Sequence, residues 1–135
     1  MAAPRVPLAV HLESLGPEER TLWDRYHELV AAAGPSEMIV NKSRIAFKAA
    51  RRNFTGCFFK SGRLELFFDL PKPIPDKERD ERFRAVWEHS RTIWVHRLKI
   101  ERLEELDDRL AQWLSVSHDA YSKPPAERSR SSRTT

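Results

Sequence analysis

Cysteine is nearly missing from this sequence. Cys57 stands alone among 135 residues, so no internal disulfide can form. Stability must then come from a buried core, and a chain of this length buries roughly two-thirds of its unfolded surface. A lone cysteine suits a reducing compartment, and a cytoplasmic location is the expectation. Long apolar runs are lacking too. None approaches the roughly 18–20 residues that a spanning helix needs. A short apolar patch lies around Leu8 to Val10, but Pro4 and Pro7 interrupt it, which argues against a signal peptide and leaves residues 1–16 as a lead-in segment.

Glycine is scarce, with four in the chain, and none builds a phosphate-cradling loop or a Gly-x-Ser-x-Gly elbow. Five histidines are present, yet no His-x-x-x-His or Glu-x-x-His pair falls on a clear helix. No metal and no cofactor is expected on these spacings. The carboxylates Glu104, Glu105, Asp107 and Asp108 are nearly consecutive, whereas catalytic pairs face each other across a cleft, so they read as dipole and solubility residues.

What is present reads as α+β, with a helix at each end of a mostly antiparallel sheet of five to six strands. At 40% hydrophobic and 33% charged residues the composition is that of a globular chain. A first helix is predicted from Pro17 to Ala33: proline suits the first helical position, Glu18 and Glu19 suit the positive end of the dipole, and Leu22, Tyr26, Leu29, Val30 and Ala33 form a stripe. Gly34-Pro35 ends it. Met38 to Val40 and the alternating Arg44 to Lys48 read as short strands. Phe54 to Phe59 and Arg63 to Leu70 flank Lys60-Ser61-Gly62, a hairpin signature. In its second arm Leu64, Leu66, Phe68 and Leu70 share an apolar face, and Arg63, Glu65, Phe67 and Asp69 a mixed one. Phe83 to Glu88 is ambiguous between strand and helical turn, and Thr92 to Ile100 reads as a strand. The last helix, packed on one sheet face, is predicted from Leu103 to Val116 or Tyr121, with Leu103, Leu106, Leu110, Trp113 and Leu114 buried. The domain thus spans residues 17–121. Residues 122–135 hold four cations against Glu127, are rich in Ser, Pro and Arg, and read as a disordered basic tail that carries +3 of the net +4.

Several of these segments together resemble a known family. They are Asn41-Lys42-Ser43-Arg44-Ile45-Ala46-Phe47, the hairpin ending Leu64-Glu65-Leu66-Phe67-Phe68, the strand Trp94-Val95-His96-Arg97-Leu98, and Glu105-Leu106-Asp107-Asp108 with Trp113-Leu114. The pattern is similar to the bacterial family known as domain of unknown function 5655, over roughly Leu15 to Tyr121. In that family a lead helix, a Thr-Lys-x-x-Ile-Ala-Phe-like strand, a hairpin, a Tyr-Val-His-like strand and a Glu-Leu-Asp helix follow in order. The resemblance implies the architecture and supplies no mechanism. The sequence departs at Asn41, where the family often has threonine, and at Arg102-Leu103, which replaces an Asp-Pro-like helix start and removes its N-cap.

The strongest functional signal is another absence. No acidic residue lies between Glu37 and Glu65, while Lys42, Arg44, Lys48, Arg51, Arg52, Lys60 and Arg63 do, interleaved with Phe47, Phe54, Phe58 and Phe59. Such a stretch suits a surface that attracts phosphate and stacks bases. The plainer reading makes the phenylalanines core and the cations a solvated face, paired with Asp76 to Glu81 or with the acidic last helix. Lys42 and Arg44 share a side if the strand is straight, and not if Ser43 bends it. His96, beside Trp94 and Leu98, is more often a hydrogen-bonded core histidine than a base, but it is the histidine to test. The preferred reading is a non-enzymatic module that binds an anionic ligand such as nucleic acid through a basic, aromatic sheet face. The alternatives are a small enzyme with a site around His96 and Lys42/Arg44, and a homodimer that pairs an edge strand or buries exposed Trp23 or Phe67. No membrane partner is expected.

Overall fold

The computed structural model describes residues 5–122. The tail expected over residues 122–135 lies outside them, apart from Ser122. Two long helices and a six-stranded antiparallel sheet make the α+β fold. A short helix, α1 (Leu8–Leu12), falls within the lead-in segment, and Val6, Leu8, Leu12 and Leu15 pack against the core.

Helix α2 runs Pro17–Ala33, as its sequence signals require. The Glu19 carboxylate accepts from the Gly16 N–H at 3.1 Å and so satisfies a free donor at the helix entry. Its buried face is wider than the predicted stripe. Trp23 is 2% exposed, held between His27, Phe47 and Phe59. The expectation of an exposed Trp23 is therefore corrected. Leu22, Trp23, Tyr26, Leu29 and Val30 are all buried, a stripe broad enough to lie on both the sheet and the last helix. Tyr26 donates to Thr55 Oγ1 at 2.9 Å, and Thr55 donates onward to the Phe67 carbonyl at 2.6 Å, so the phenol is satisfied inside the core.

The strands are β1 (Glu37–Val40), β2 (Ile45–Lys48), β3 (Asn53–Lys60), β4 (Arg63–Leu70), β5 (Phe83–Ser90) and β6 (Ile93–Ile100), in the order β1-β2-β3-β4-β6-β5. The β3–β4 hairpin turns on Ser61 (φ 49°) and Gly62 (φ 81°). Positive φ at both positions matches the strand twist, and glycine supplies one of them without strain. The ambiguous Phe83 segment is a strand, because β6 offers it a partner along its whole length and turns Phe83 and Val86 inward opposite Leu98 and His96.

The last helix starts later than its sequence suggests. Leu103–Glu105 is one 3₁₀ turn, and α3 proper runs Asp108–Ala120. Asp107 caps it, accepting from the Leu110 N–H at 3.0 Å. The cap that is missing at Arg102 is thus found five residues on. Leu103 is 46% exposed and drops out of the stripe, whereas Leu106, Leu110 and Leu114 are buried. Helices α2 and α3 lie side by side over one sheet face, and among the described residues no helix covers the other, which is called the open face.

Candidate functional site: the open face of the sheet

Strand parity decides which side chains occupy that open face. Leu64, Leu66, Phe68 and Leu70 are buried under the helices, so Arg63, Glu65, Phe67 and Asp69 point the other way. Register then adds neighbours. Phe58 lies opposite Glu65, and Gly56 opposite Phe67. On the other flank Lys99 lies opposite Glu65, and Arg97 opposite Phe67.

Two arginines stand over two phenylalanine rings here. The Arg44 guanidinium sits 5.4 Å from the Phe67 ring centre, and that of Arg97 5.2 Å from Phe58. Both spacings are cation–π distances. Phe67 in turn lies over Gly56, which has no Cβ to push the ring away. Glu65 is buried and anchors the arrangement. Arg97 donates from Nε and Nη2 to Oε1 at 3.0 and 2.7 Å, and Arg63 donates to Oε2 at 3.1 and 2.9 Å. Burial pushes the Glu65 carboxyl up, but the two guanidiniums outweigh it and hold it below its ordinary value. One anion faces two cations, so a positive charge is left over at this point.

Asp69 closes the far end of the stripe. Its Oδ2 accepts from Arg52 Nη2 at 2.6 Å, and the Arg52 guanidinium lies 5.4 Å from the Tyr121 ring centre. Burial pushes the Asp69 carboxyl up against the pull of Arg52. Its Oδ1 is buried with no hydrogen-bond partner.

The seven cations singled out by the sequence are therefore divided. Arg44, Arg52 and Arg63 belong to the open face, and exposed Lys60 stands beside Arg63 at its end. Arg52 and Arg63 pair with buried carboxylates, which was the plainer reading for those two, although the carboxylates come from β4 and not from residues 76–81 or the last helix. Lys42 sits at the tip of the β1–β2 turn. There Asn41 Oδ1 accepts from the Ser43 and Arg44 N–H groups at 3.2 and 3.0 Å, and the Asn41 N–H donates to the Arg44 carbonyl. Ser43 is in a bend, so strand parity does not link Lys42 to Arg44. Asn41, where threonine was the expected residue, organises this turn. Lys48 and Arg51 lie elsewhere. Lys48 lines a cleft of about 540 Å³ with Pro35, Ser36 and His118, and the Arg51 N–H binds the Tyr121 carbonyl.

His96 is on the opposite face from Arg44, buried under the helices. Its ring stacks on Phe68 at 5.0 Å, Nε2 accepts from the Ile74 N–H at 3.0 Å, and Nδ1 donates to the Trp94 carbonyl at 3.1 Å. Burial depresses its pKa to about 4, so it is a neutral core histidine at pH 7. The fold does not bring His96 together with Lys42 and Arg44. Cys57 is buried too, and burial raises its thiol pKa. Among the described residues no three of His, Cys, Asp and Glu gather as metal ligands, and no helix is long and apolar enough to cross a membrane.

Sequence reasoning missed Arg97 and the seating of Phe67 on Gly56. The alternation along β4 already put Glu65 and Phe67 on one face, but the β4–β6 register that delivers Arg97 joins residues about thirty positions apart and leaves no local trace. It also missed Arg82, which is buried and clamps the start of β5 to the cap of α3. Arg82 binds Asp80 through Nε and Nη2 at 3.0 and 2.8 Å, and its Nη1 donates to the Glu105 carbonyl and to Asp107 Oδ1 at 2.7 and 3.0 Å.

No curated protein and no solved structure matches the chain. A family model does, over residues 15–123, a span that takes in both long helices, the whole sheet and the open face. The chain belongs to that family, described as a domain of unknown function (DUF5655).

Proposed function

We propose that the open sheet face binds single-stranded nucleic acid. The observation that carries this reading is the pair of guanidiniums over Phe67 and Phe58. A guanidinium held on a ring offers its own plane for a base to stack on and its outer N–H groups to phosphate. Glu65 already holds Arg97, so less ordering cost falls on the binding step. From Arg63 to Asp69 the stripe is about 20 Å long at the usual rise per strand residue. The face suits a flexible strand with splayed bases better than a rigid duplex.

The test is a titration of the full chain with a single-stranded oligonucleotide of about 12 nucleotides, a length within the usual range for one such surface. A duplex of equal length is the comparison, and salt is varied. The single strand should bind more tightly, with log K falling against log salt at a slope of about −2 to −3, as for three or four phosphate contacts. Arg44→Ala should weaken binding. Replacing Lys123, Arg128, Arg130 and Arg133 together by Gln should leave it largely intact. Salt-insensitive or absent binding would sink the proposal, and so would binding that depends on those four residues and ignores Arg44.

A further inference from the structure

The two edges of the sheet are not equivalent. At β1 the Val6 N–H donates to the Val40 carbonyl and Arg5 bridges to Asn41, so the lead-in segment covers part of that edge. At the other edge β5 pairs with β6 alone; apart from the turn bond from the Phe83 N–H to the Asp80 carbonyl at its first residue, no backbone hydrogen bond from a described residue reaches its outer side. It is eight residues long, mostly exposed, and carries Trp87 at 43% exposure. An edge of this kind is a template for another strand.

The sequence of β5, Phe83-Arg84-Ala85-Val86-Trp87-Glu88-His89-Ser90, is complementary to itself. If two copies pair antiparallel about a two-fold axis through Val86, Arg84 of each lies opposite Glu88 of the other, and Trp87 lies opposite Ala85. Both ion pairs are opposite in sign, and each large ring meets a small side chain. Moving the axis to Arg84 or to Glu88 would set like charges against each other. Neither Arg84 nor Glu88 takes part in an ion pair within the described residues. The register shifts against β6 fall between Phe83 and Ala85 and between Glu88 and Ser90, so residues 85–88 are regular and Arg84 stands within the first shift, at the end of that stretch.

We infer that β5 docks against β5 of a second copy of this chain, with Val86 on the axis, which joins the two sheets into one. A two-fold contact of this type is self-complementary and closes after two copies. The inference stands on the edge and its charges, and is independent of what the open face binds.

The experiment is sedimentation equilibrium of the full chain over a concentration series, with Arg84→Glu, Glu88→Arg and the double variant. Circular dichroism confirms that each is folded. The native chain should reach a dimer. Each single exchange turns two attractive pairs into two repulsive ones and should weaken association about tenfold. The double exchange should restore it. A native chain that stays monomeric at the highest concentration overturns the inference. So does a dimer indifferent to the single exchanges, or one that the double exchange fails to recover.

Discussion

Phe67 lies across Gly56 so closely that a Cβ added to the glycine would stand 2.4 Å from the ring Cζ and 2.9 Å from the Ile45 carbonyl oxygen. Both neighbours are fixed, one by its strand and the other by the Arg44 that covers it. Gly56→Ala should therefore destabilise the fold by about 1–3 kcal/mol, the usual cost of overpacking. It should also lift Phe67 and loosen Arg44. Urea denaturation measures the first effect, and the oligonucleotide titration the second. An unchanged midpoint would mean that the ring is free to move aside.

Glu65 is the one carboxylate beneath two arginines, and its removal acts on both. Glu65→Gln keeps the volume but leaves Arg63 and Arg97 without their anion. Breaking a fully buried pair costs about 3–5 kcal/mol. Here the guanidinium side chains are 21% and 38% exposed and water recovers part of their solvation, so a loss of about 1–3 kcal/mol is expected. A denaturant midpoint within error of the native one would show that Glu65 anchors nothing.

Acid should weaken the fold through His96. Its pKa is about 4 in the folded chain against an ordinary 6.5. The unfolded chain therefore binds a proton first, and stability is lost as the pH falls from 6.5 towards 4, by up to about 3 kcal/mol. Asp69, raised above its ordinary value by burial, works in the opposite sense. Glu65, held below its own, loses its contribution only at lower pH still. Denaturation at pH 7 and at pH 4.5 measures the slope. His96→Gln should be less stable at pH 7 and should flatten the slope over this window. A slope equally steep in the variant would assign it to other groups.

Arg82→Met should destabilise by about 2 kcal/mol, less than a fully buried pair because Asp80 and Asp107 are 39% and 44% exposed and can be hydrated again. The loss should concentrate at the α3 N-terminus, where Asp107 holds both the cap and the arginine. Amide exchange at Leu110 and Ala111 reports it. Uniform exchange across α3 would argue against a local clamp.

Elements with local signals were readable in the chain itself. The entry of α2 needs Pro17 and two glutamates, and the β3–β4 turn needs Ser61-Gly62, all within a few residues of the structure they specify. The apolar alternation of β4 gave its two faces for the same reason. The start of α3 was misplaced because Glu104 and Glu105 resemble a first turn. The true cap, Asp107, is held by Arg82, which is 25 residues away. Half of the candidate site was legible: Arg44, Phe58 and Arg63 come from one stretch, and the alternation along β4 places Phe67 on the same face as Arg63. Arg97 and the burial of Glu65 arise from strand pairing over long separations, and a charge run cannot reveal which of its members meet a carboxylate.

The strand order has a consequence for how the molecule assembles. The chain leaves β4, passes over the neighbouring position to lay down the outermost strand, and only then returns with β6 to fill the gap. Until β6 is in place β5 has no partner in the sheet, and the β5–β6 hairpin is the local unit that gives it one. The proline-rich crossing at residues 71–75 is then pinned from within, through the hydrogen bond from Ile74 to His96. The β1–β4 meander, built from near neighbours, can form early, whereas closure of the sheet waits on this long-range insertion.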